Sequence, residues 1–282
     1  MSETREEPQT LPLITLNDGR GMPQMGYGVW QVPDDEAARC VREAIAAGYR
    51  SIDTARIYEN EPGVGEGIRL SGVEREQLFI TTKLWNHAHT RAHEAFAASL
   101  ERLGLSEVDL YLIHWPAPTT GNYIEAWRAL VELRQQGRAR SIGVSNFALE
   151  HLERVIADTG VTPAVNQIEL HPYFQQRELR AWSAEHQVAV EAWSPIGQGG
   201  ELLADPVITA IAQLHGRTPA QVVLRWHLQI GTIAIPKTAT PQRMVENLDS
   251  LNFELTIDDM RRIAELDRPD GRIGPDPVTA TF

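Results

Sequence analysis

Gly26-Tyr27-Gly28-Val29-Trp30-Gln31 is the stretch on which the fold turns. A doubly wound sheet normally sets GxGxxG directly after its first strand, because the glycines let the backbone approach a pyrophosphate. Here Gln31 stands where the third glycine would be, and Pro33 follows, so the fingerprint is broken. The same residues read instead as the first of eight short runs rich in β-branched and aromatic residues. These are GYGVW (26–30), YRSID (49–53), LFITT (78–82), VDLYLIH (108–114), RSIGVS (140–145), AVNQIE (164–169), VAVEAW (188–193) and TIAIP (232–236). Between them lie segments of helical periodicity, among them DDEAARCVREAIAAG, TRAHEAFAASLERLG, YIEAWRALVELRQQG and LEHLERVIADTG, several ending in the glycine that stops a helix. Repeats of roughly 20 to 40 residues fit βα units. Eight of them predict a (β/α)8 TIM barrel rather than a doubly wound sheet.

Working outward, LPLITL and MPQM flank Asn17-Asp18-Gly19, a hairpin signal. An N-terminal β-hairpin over about 13–25 is expected to cover the apolar bottom of the barrel, with a C-terminal tail over about 268–282. No Pro/Gly/Ser-rich linker divides the 282 residues, so residues 1–282 read as one domain. The formal net charge is -12 with Lys and Arg scattered singly, which gives nucleic-acid binding poor support. No run approaches a membrane span, the first ten residues are polar and acidic, and Cys40 is the only cysteine. A soluble cytoplasmic protein without an intramolecular disulfide is expected, compatible with a monomer.

Barrel active sites gather at the C-terminal ends of the strands. There the runs deliver Asp53, Lys83 and His114, with Tyr58 in the loop after the second run. A carboxylate, an ammonium, a phenol and an imidazole are the parts needed to hand a proton to a carbonyl oxygen. Lys83 would favour the phenolate of Tyr58, Asp53 would hold Lys83 charged, and His114 would orient the carbonyl. Taken singly, Tyr58 reads as a packing residue, Lys83 as a surface charge, Asp53 as a helix cap and His114 as a core histidine. Their common placement on the predicted rim favours the joint reading.

The second half offers a cofactor site. Ser145-Asn146 follows the fifth run, Gln167 lies in the sixth, and Trp193-Ser194-Pro195 ends the seventh. Asn146 and Gln167 fit a carboxamide edge and Trp193 fits a flat ring, although a helix cap and a core aromatic are the plainer readings of Asn146 and Trp193. After the eighth run, Lys237, Thr238 and Arg243 gather where Thr240 and Pro241 would start a helix. Helix starts near the last barrel loops favour phosphate, which points to a 2′-phosphorylated dinucleotide. Trp30, Trp85 and Trp115 each follow a run near the rim and would wall an apolar substrate pocket. His87, His89 and His93 have no cluster of carboxylate or thiol ligands nearby in sequence, so no metal site is expected.

The chain resembles the aldo-keto reductases from about Leu13 to Gly274. The ordered motifs are DGRGMPQMGYGVW, GYRSIDTARIYENEPGVGEGI, FITTKLW, VDLYLIHWP, SIGVSNF, VNQIELHPY, EAWSPIG and IPKTATPQRMVENL. The resemblance implies a barrel, a catalytic set of Asp53, Tyr58, Lys83 and His114, and NADPH. It places Ser145, Asn146 and Gln167 at the carboxamide, Trp193 against the nicotinamide and Ser194 toward the diphosphate. Lys237, Thr238 and Arg243 would meet the 2′-phosphate, and Glu246 and Asn247 the adenine end. The short prokaryotic members related to 2,5-diketo-gluconate reductases are the most similar group. Trp193 stands where many members carry tyrosine, KTAT replaces a common KS-initial motif, and the short tail implies an open pocket. The expected activity is NADPH-dependent reduction of aldehydes or ketones as small-molecule substrates, with Tyr58 as general acid. An NADPH-binding sensor or interaction subunit with little turnover is the alternative, and a barrel lyase or isomerase would have no use for the cofactor residues.

Overall fold

The computed structural model describes residues 11–282. Strands β1 (Leu13–Thr15) and β2 (Gly21–Pro23) pair antiparallel, Leu13 opposite Pro23 and Thr15 opposite Gly21. The connection is a three-residue loop, Asn17 to Gly19, closed by Leu16 N–H to Arg20 O at 2.8 Å. Gly19 at φ +86° supplies the one left-handed residue such a loop needs. Leu16 and Met22 from this hairpin pack with Phe79, Leu110, Leu112, Ala164, Val165 and Ile233, several of them at strand starts. The hairpin thus plugs the N-terminal end of the barrel.

Eight parallel strands follow: β3 (Tyr27–Gly28), β4 (Ser51–Asp53), β5 (Phe79–Leu84), β6 (Val108–Ile113), β7 (Ala139–Ser145), β8 (Val165–Glu169), β9 (Ala189–Trp193) and β10 (Ile233–Ala234). They pair in sequence order. The first and last runs shrink to two residues each because they form the seam that closes the barrel. There Met25 bridges Ala234, Gly26 N–H reaches Ala234 O at 2.9 Å, and Gly28 N–H reaches Pro236 O at 3.2 Å. A Cβ on Gly28 would lie 3.0 Å from the carbonyl oxygen of Ile235, and one on Gly26 2.9 Å from the Ile235 side chain. The glycines of the opening motif therefore serve close strand approach at the seam.

Every residue of β5 and β6 is buried, as expected of parallel strands covered on one face by the barrel interior and on the other by helices. The helix Asp34–Ala47 buries Ala37, Cys40, Val41, Ala44 and Ile45, a helical stripe, and ends at Gly48 with φ +117°. Phe96, Leu100, Trp127 and Leu130 extend this outer core, each large apolar side chain contributing roughly 1.5–3 kcal/mol on burial. Between β9 and β10 the chain makes two helices, Pro206–His215 and Pro219–Gln229. With Ile257–Ala264 they form a satellite core around Ile208, Val223, Trp226 and Ile263. The C-terminal segment then returns across the open end of the barrel, Glu169 accepting from Ile273 N–H at 2.6 Å and Gly274 N–H at 2.8 Å.

Candidate active site

Parallel register brings Asp53 and Lys83 together. Asp53 lies opposite Thr81, and Lys83 is two residues beyond Thr81, so both Asp53 and Lys83 point into the barrel near its C-terminal mouth. Lys83 is fully buried. Its three ammonium hydrogens have three oxygens within reach: Asp53 Oδ1 at 2.5 Å, Thr54 O at 2.9 Å and Tyr58 Oη at 3.5 Å. Tyr58 ends the single turn Arg56–Tyr58, and Asn60 fixes that loop. The Asn60 amide donates to Val29 O at 2.9 Å and Val32 O at 2.8 Å and accepts from Thr54 Oγ1 at 2.8 Å. His114 follows β6 and meets the Tyr58 ring edge-on, centroids 5.6 Å apart.

Burial pushes the Tyr58 phenol above its ordinary value. Lys83 pulls it down, in the expected direction, while Asp53 and Glu191 add to the rise. The phenol of the free protein thus holds its proton, as a general acid must. Burial acts to lower Lys83, but the charge and hydrogen bond of Asp53 oppose it, joined by Tyr58 and Glu191 once those ionise, and the ammonium stays charged. Burial and then the Lys83 charge hold His114 well below the usual histidine range. A neutral imidazole can offer one N–H to an oxygen without competing for the proton of Tyr58.

A cavity of about 910 Å³ runs across this face. Asp53, Tyr58 and His114 form its floor, with Lys83 directly beneath. Trp30, Trp85 and Trp115 line the cavity together with Ile57 and Phe282. The tail that was expected to leave the pocket open supplies part of this wall: Phe282 stacks on Trp85 at 6.0 Å and meets Trp115 edge-on at 5.1 Å. Ser145, Asn146, Gln167, Trp193 and Ser194 also line the cavity. Asn146 adopts φ +61°, donates to His114 O and Ser145 Oγ at 3.0 Å each, and accepts from Trp193 Nε1 at 2.8 Å.

Lys237, Thr238, Arg243, Glu246 and Asn247 belong to the same lining. Lys237 and Arg243 are exposed and, among the described residues, neither is taken up in an ion pair. They are the two lysine or arginine side chains in the cavity lining. Thr240 does sit before Pro241 at the start of the helix Pro241–Leu248, but its side chain makes no capping bond. Its N–H instead goes to Thr238 Oγ1 at 3.1 Å. Glu246 accepts from Thr218 Oγ1 at 2.8 Å. Among the described residues no group of three His, Cys, Asp or Glu side chains is placed to hold a metal ion; His93 instead pairs with Glu132 at 2.9 Å.

Sequence reasoning missed several members. Phe282 and Gly274 arrive through the long-range clamp at Glu169, which no local pattern records. Thr218, Pro219 and Ala220 come from the start of a helix that was not singled out. Glu191, fully buried beside Gln167, left one signal: a carboxylate at an inward position of the apolar run VAVEAW.

A sequence model described as the aldo/keto reductase family matches residues 19–268. The chain is 51% identical over 266 residues to methylglyoxal reductase DkgA of Escherichia coli K12, covering 94% of this chain and 96% of that one. It is 54% identical over 273 residues to an aldo-keto reductase of Mycolicibacterium smegmatis, covering 96% and 98%. Among solved structures, an aspartate-to-alanine mutant of Gox0644 in complex with NADPH superposes with a TM-score of 0.93 at 52% identity, covering 97% of this chain and all of that one.

Proposed function

The chain belongs to the aldo/keto reductase family, and on that premise we propose the roles of its site residues in NADPH-dependent reduction of aldehydes or ketones to alcohols. Tyr58 is the general acid: it gives its phenolic proton to the carbonyl oxygen as negative charge develops there. NADPH, when bound, supplies the hydride to the carbonyl carbon. Lys83 stabilises the phenolate that Tyr58 leaves, and Asp53 keeps Lys83 charged and in place. His114, neutral, donates to the same oxygen and fixes its position.

The residues present fit the cofactor. The amide hydrogens of Asn146 and Gln167 are already engaged, so their side-chain oxygens are what they offer a carboxamide N–H beside Trp193, which presents a flat face for the nicotinamide, with Ser145 and Ser194 also lining the cavity. In the same lining Lys237 and Arg243, with no ion pair among the described residues, accompany Thr238 in a chain of net charge -12, a placement that suits a phosphate monoester. Glu246 and Asn247 lie next to them for the adenine end. Trp30, Trp85 and Trp115 wall the substrate carbonyl.

The observation that carries this reading is the position of Lys83 Nζ, 2.5 Å from Asp53 and 3.5 Å from Tyr58 beneath the cavity floor. A sensor that only bound NADPH would have no use for a buried ammonium under a phenol. We further read the chain as one domain and a cytoplasmic monomer that binds no nucleic acid. The closed barrel with its packed hairpin and tail, the single buried Cys40 and the acidic charge balance support this. Among the described residues no helix is long and apolar enough to cross a membrane. The test is loss of NADPH absorbance against a carbonyl panel that includes methylglyoxal; no turnover with any member would overturn the reductase reading.

A further inference from the structure

Glu191 is fully buried and lies one strand over from Gln167, level with it in the sheet. The Gln167 amide nitrogen has two hydrogens, and both have carboxyl acceptors: Glu191 Oε2 at 2.7 Å and Asp53 Oδ2 at 2.9 Å. Two carboxyl groups thus hang from one nitrogen inside the barrel. Only one cation serves them. Lys83 directs its hydrogens to Asp53, Thr54 and Tyr58, and among the described residues Glu191 Oε1 has no partner. A second buried carboxylate with an unshared oxygen costs far more than a neutral acid in the same place.

Resting on the reductase reading above, we propose that Glu191 is a positioning residue of the reaction centre, held as a neutral acid so that Asp53 and Lys83 balance and Tyr58 can release its proton. Burial and then the charge of Asp53 push Glu191 up to about 8, against the Gln167 hydrogen bond and the Lys83 charge. The groups facing it are Asp53 from β4, Lys83 from β5, Tyr58 from its loop and the Gln167 amide from β8. Strand β10 presents only Ile233 and Ala234. On the helix Arg177–Glu185 behind the strand, Arg177 bonds Asp267 and Arg180 bonds Gln175, both away from the interior. Once Glu191 ionises, the buried set carries a net negative charge, Tyr58 is held still higher, and the phenolate it must leave is disfavoured.

The consequence is an alkaline limb to reduction that belongs to Glu191. A group titrating near 8 is about nine-tenths ionised one pH unit above, so turnover at saturating NADPH and carbonyl should fall roughly tenfold from the plateau by pH 9. In Glu191→Gln, which cannot ionise, the ratio of turnover at pH 9 to that at pH 6.5 should rise by roughly tenfold over the parent. A merely structural role would scale both values together, and an unchanged ratio overturns the proposal. Infrared titration of the free wild-type protein keeps the question decidable even where the variant does not fold. It should show a protonated carboxylic acid at pH 7 that disappears with a midpoint near 8, and absence of that band at pH 7 overturns the proposal. The infrared measurement uses neither NADPH nor turnover, so failure of the reductase reading would show separately, as no carbonyl reduction by the parent at any pH.

Discussion

Trp193 donates its indole N–H to the side-chain oxygen of Asn146 at 2.8 Å, which joins the ring proposed to face the nicotinamide to an amide proposed to bind its carboxamide. The two Asn146 amide hydrogens are directed to His114 O and Ser145 Oγ, so the side chain is held at all its atoms. A tyrosine or phenylalanine has no N–H at that place. Trp193→Phe should keep an aromatic face yet free the Asn146 oxygen, weakening NADPH binding by up to about tenfold, the worth of one neutral hydrogen bond. Calorimetric titration reads this directly; unchanged affinity would mean that Asn146 needs no help from the indole.

Tyr58→Phe should retain NADPH binding and lose roughly 10²–10⁴-fold in carbonyl turnover, because the ring still packs against His114 while the transferable proton is gone. Turnover near that of the parent at saturating substrate would remove Tyr58 from the acid role. Lys83→Met should depress turnover as well, but through the phenolate. Its buried partner Asp53 would lose its cation, so the variant's thermal midpoint has to be measured beside its activity.

Much of this was legible because strand period and barrel chemistry agree. The eight runs matched eight strands, since each is a short apolar stretch bounded by helix signals, and the inward residues at their ends follow from a period of two. The seam was harder. Tyr27–Gly28 and Ile233–Ala234 are shorter than their apolar runs because closure there depends on a single bridge and scattered bonds between residues more than 200 positions apart. The wall made by Phe282 was not legible at all. It rests on Glu169 gripping two backbone N–H groups of a segment with no periodicity, and on the Asn86 amide donating to Phe282 O at 2.8 Å. The rise in the Tyr58 phenol was missed for a related reason, since a sequence names the neighbouring charge but not the depth of burial that outweighs it.

Acid should destabilise the fold through buried histidines. Burial lowers His89 to about 4 and His227 to about 3, against an ordinary value of 6.5. Between those values the unfolded chain binds protons that the native protein refuses, so stability is complete above pH 6.5 and declines as pH falls toward 4 and 3. At pH 5 the loss should be on the order of 2 kcal/mol per histidine. Urea midpoints at pH 7 and pH 5 measure it, and His227→Gln should shrink the difference. Equal midpoints at the two pH values would show that these imidazoles can charge without unfolding.

Arg243→Ala should weaken NADPH binding strongly and NADH binding little. Arg243 and Lys237 are exposed in the cavity lining, and neither is neutralised by a carboxylate among the described residues. A guanidinium can grip a phosphate monoester with two parallel N–H groups, whereas NADH presents no group there. Losing a charge-assisted hydrogen bond of about 1.5–3 kcal/mol corresponds to roughly 10- to 100-fold in NADPH affinity. Lys237→Ala should share the bias less selectively, because an ammonium just beyond β10 can also reach other cofactor oxygens. Both cofactors can be titrated by tryptophan fluorescence with Trp193 as reporter, at low and high salt, since an exposed phosphate contact is partly screened. Equal loss of NADH and NADPH affinity in the Arg243 variant would detach this part of the lining from the 2′-phosphate, even with reductase activity intact.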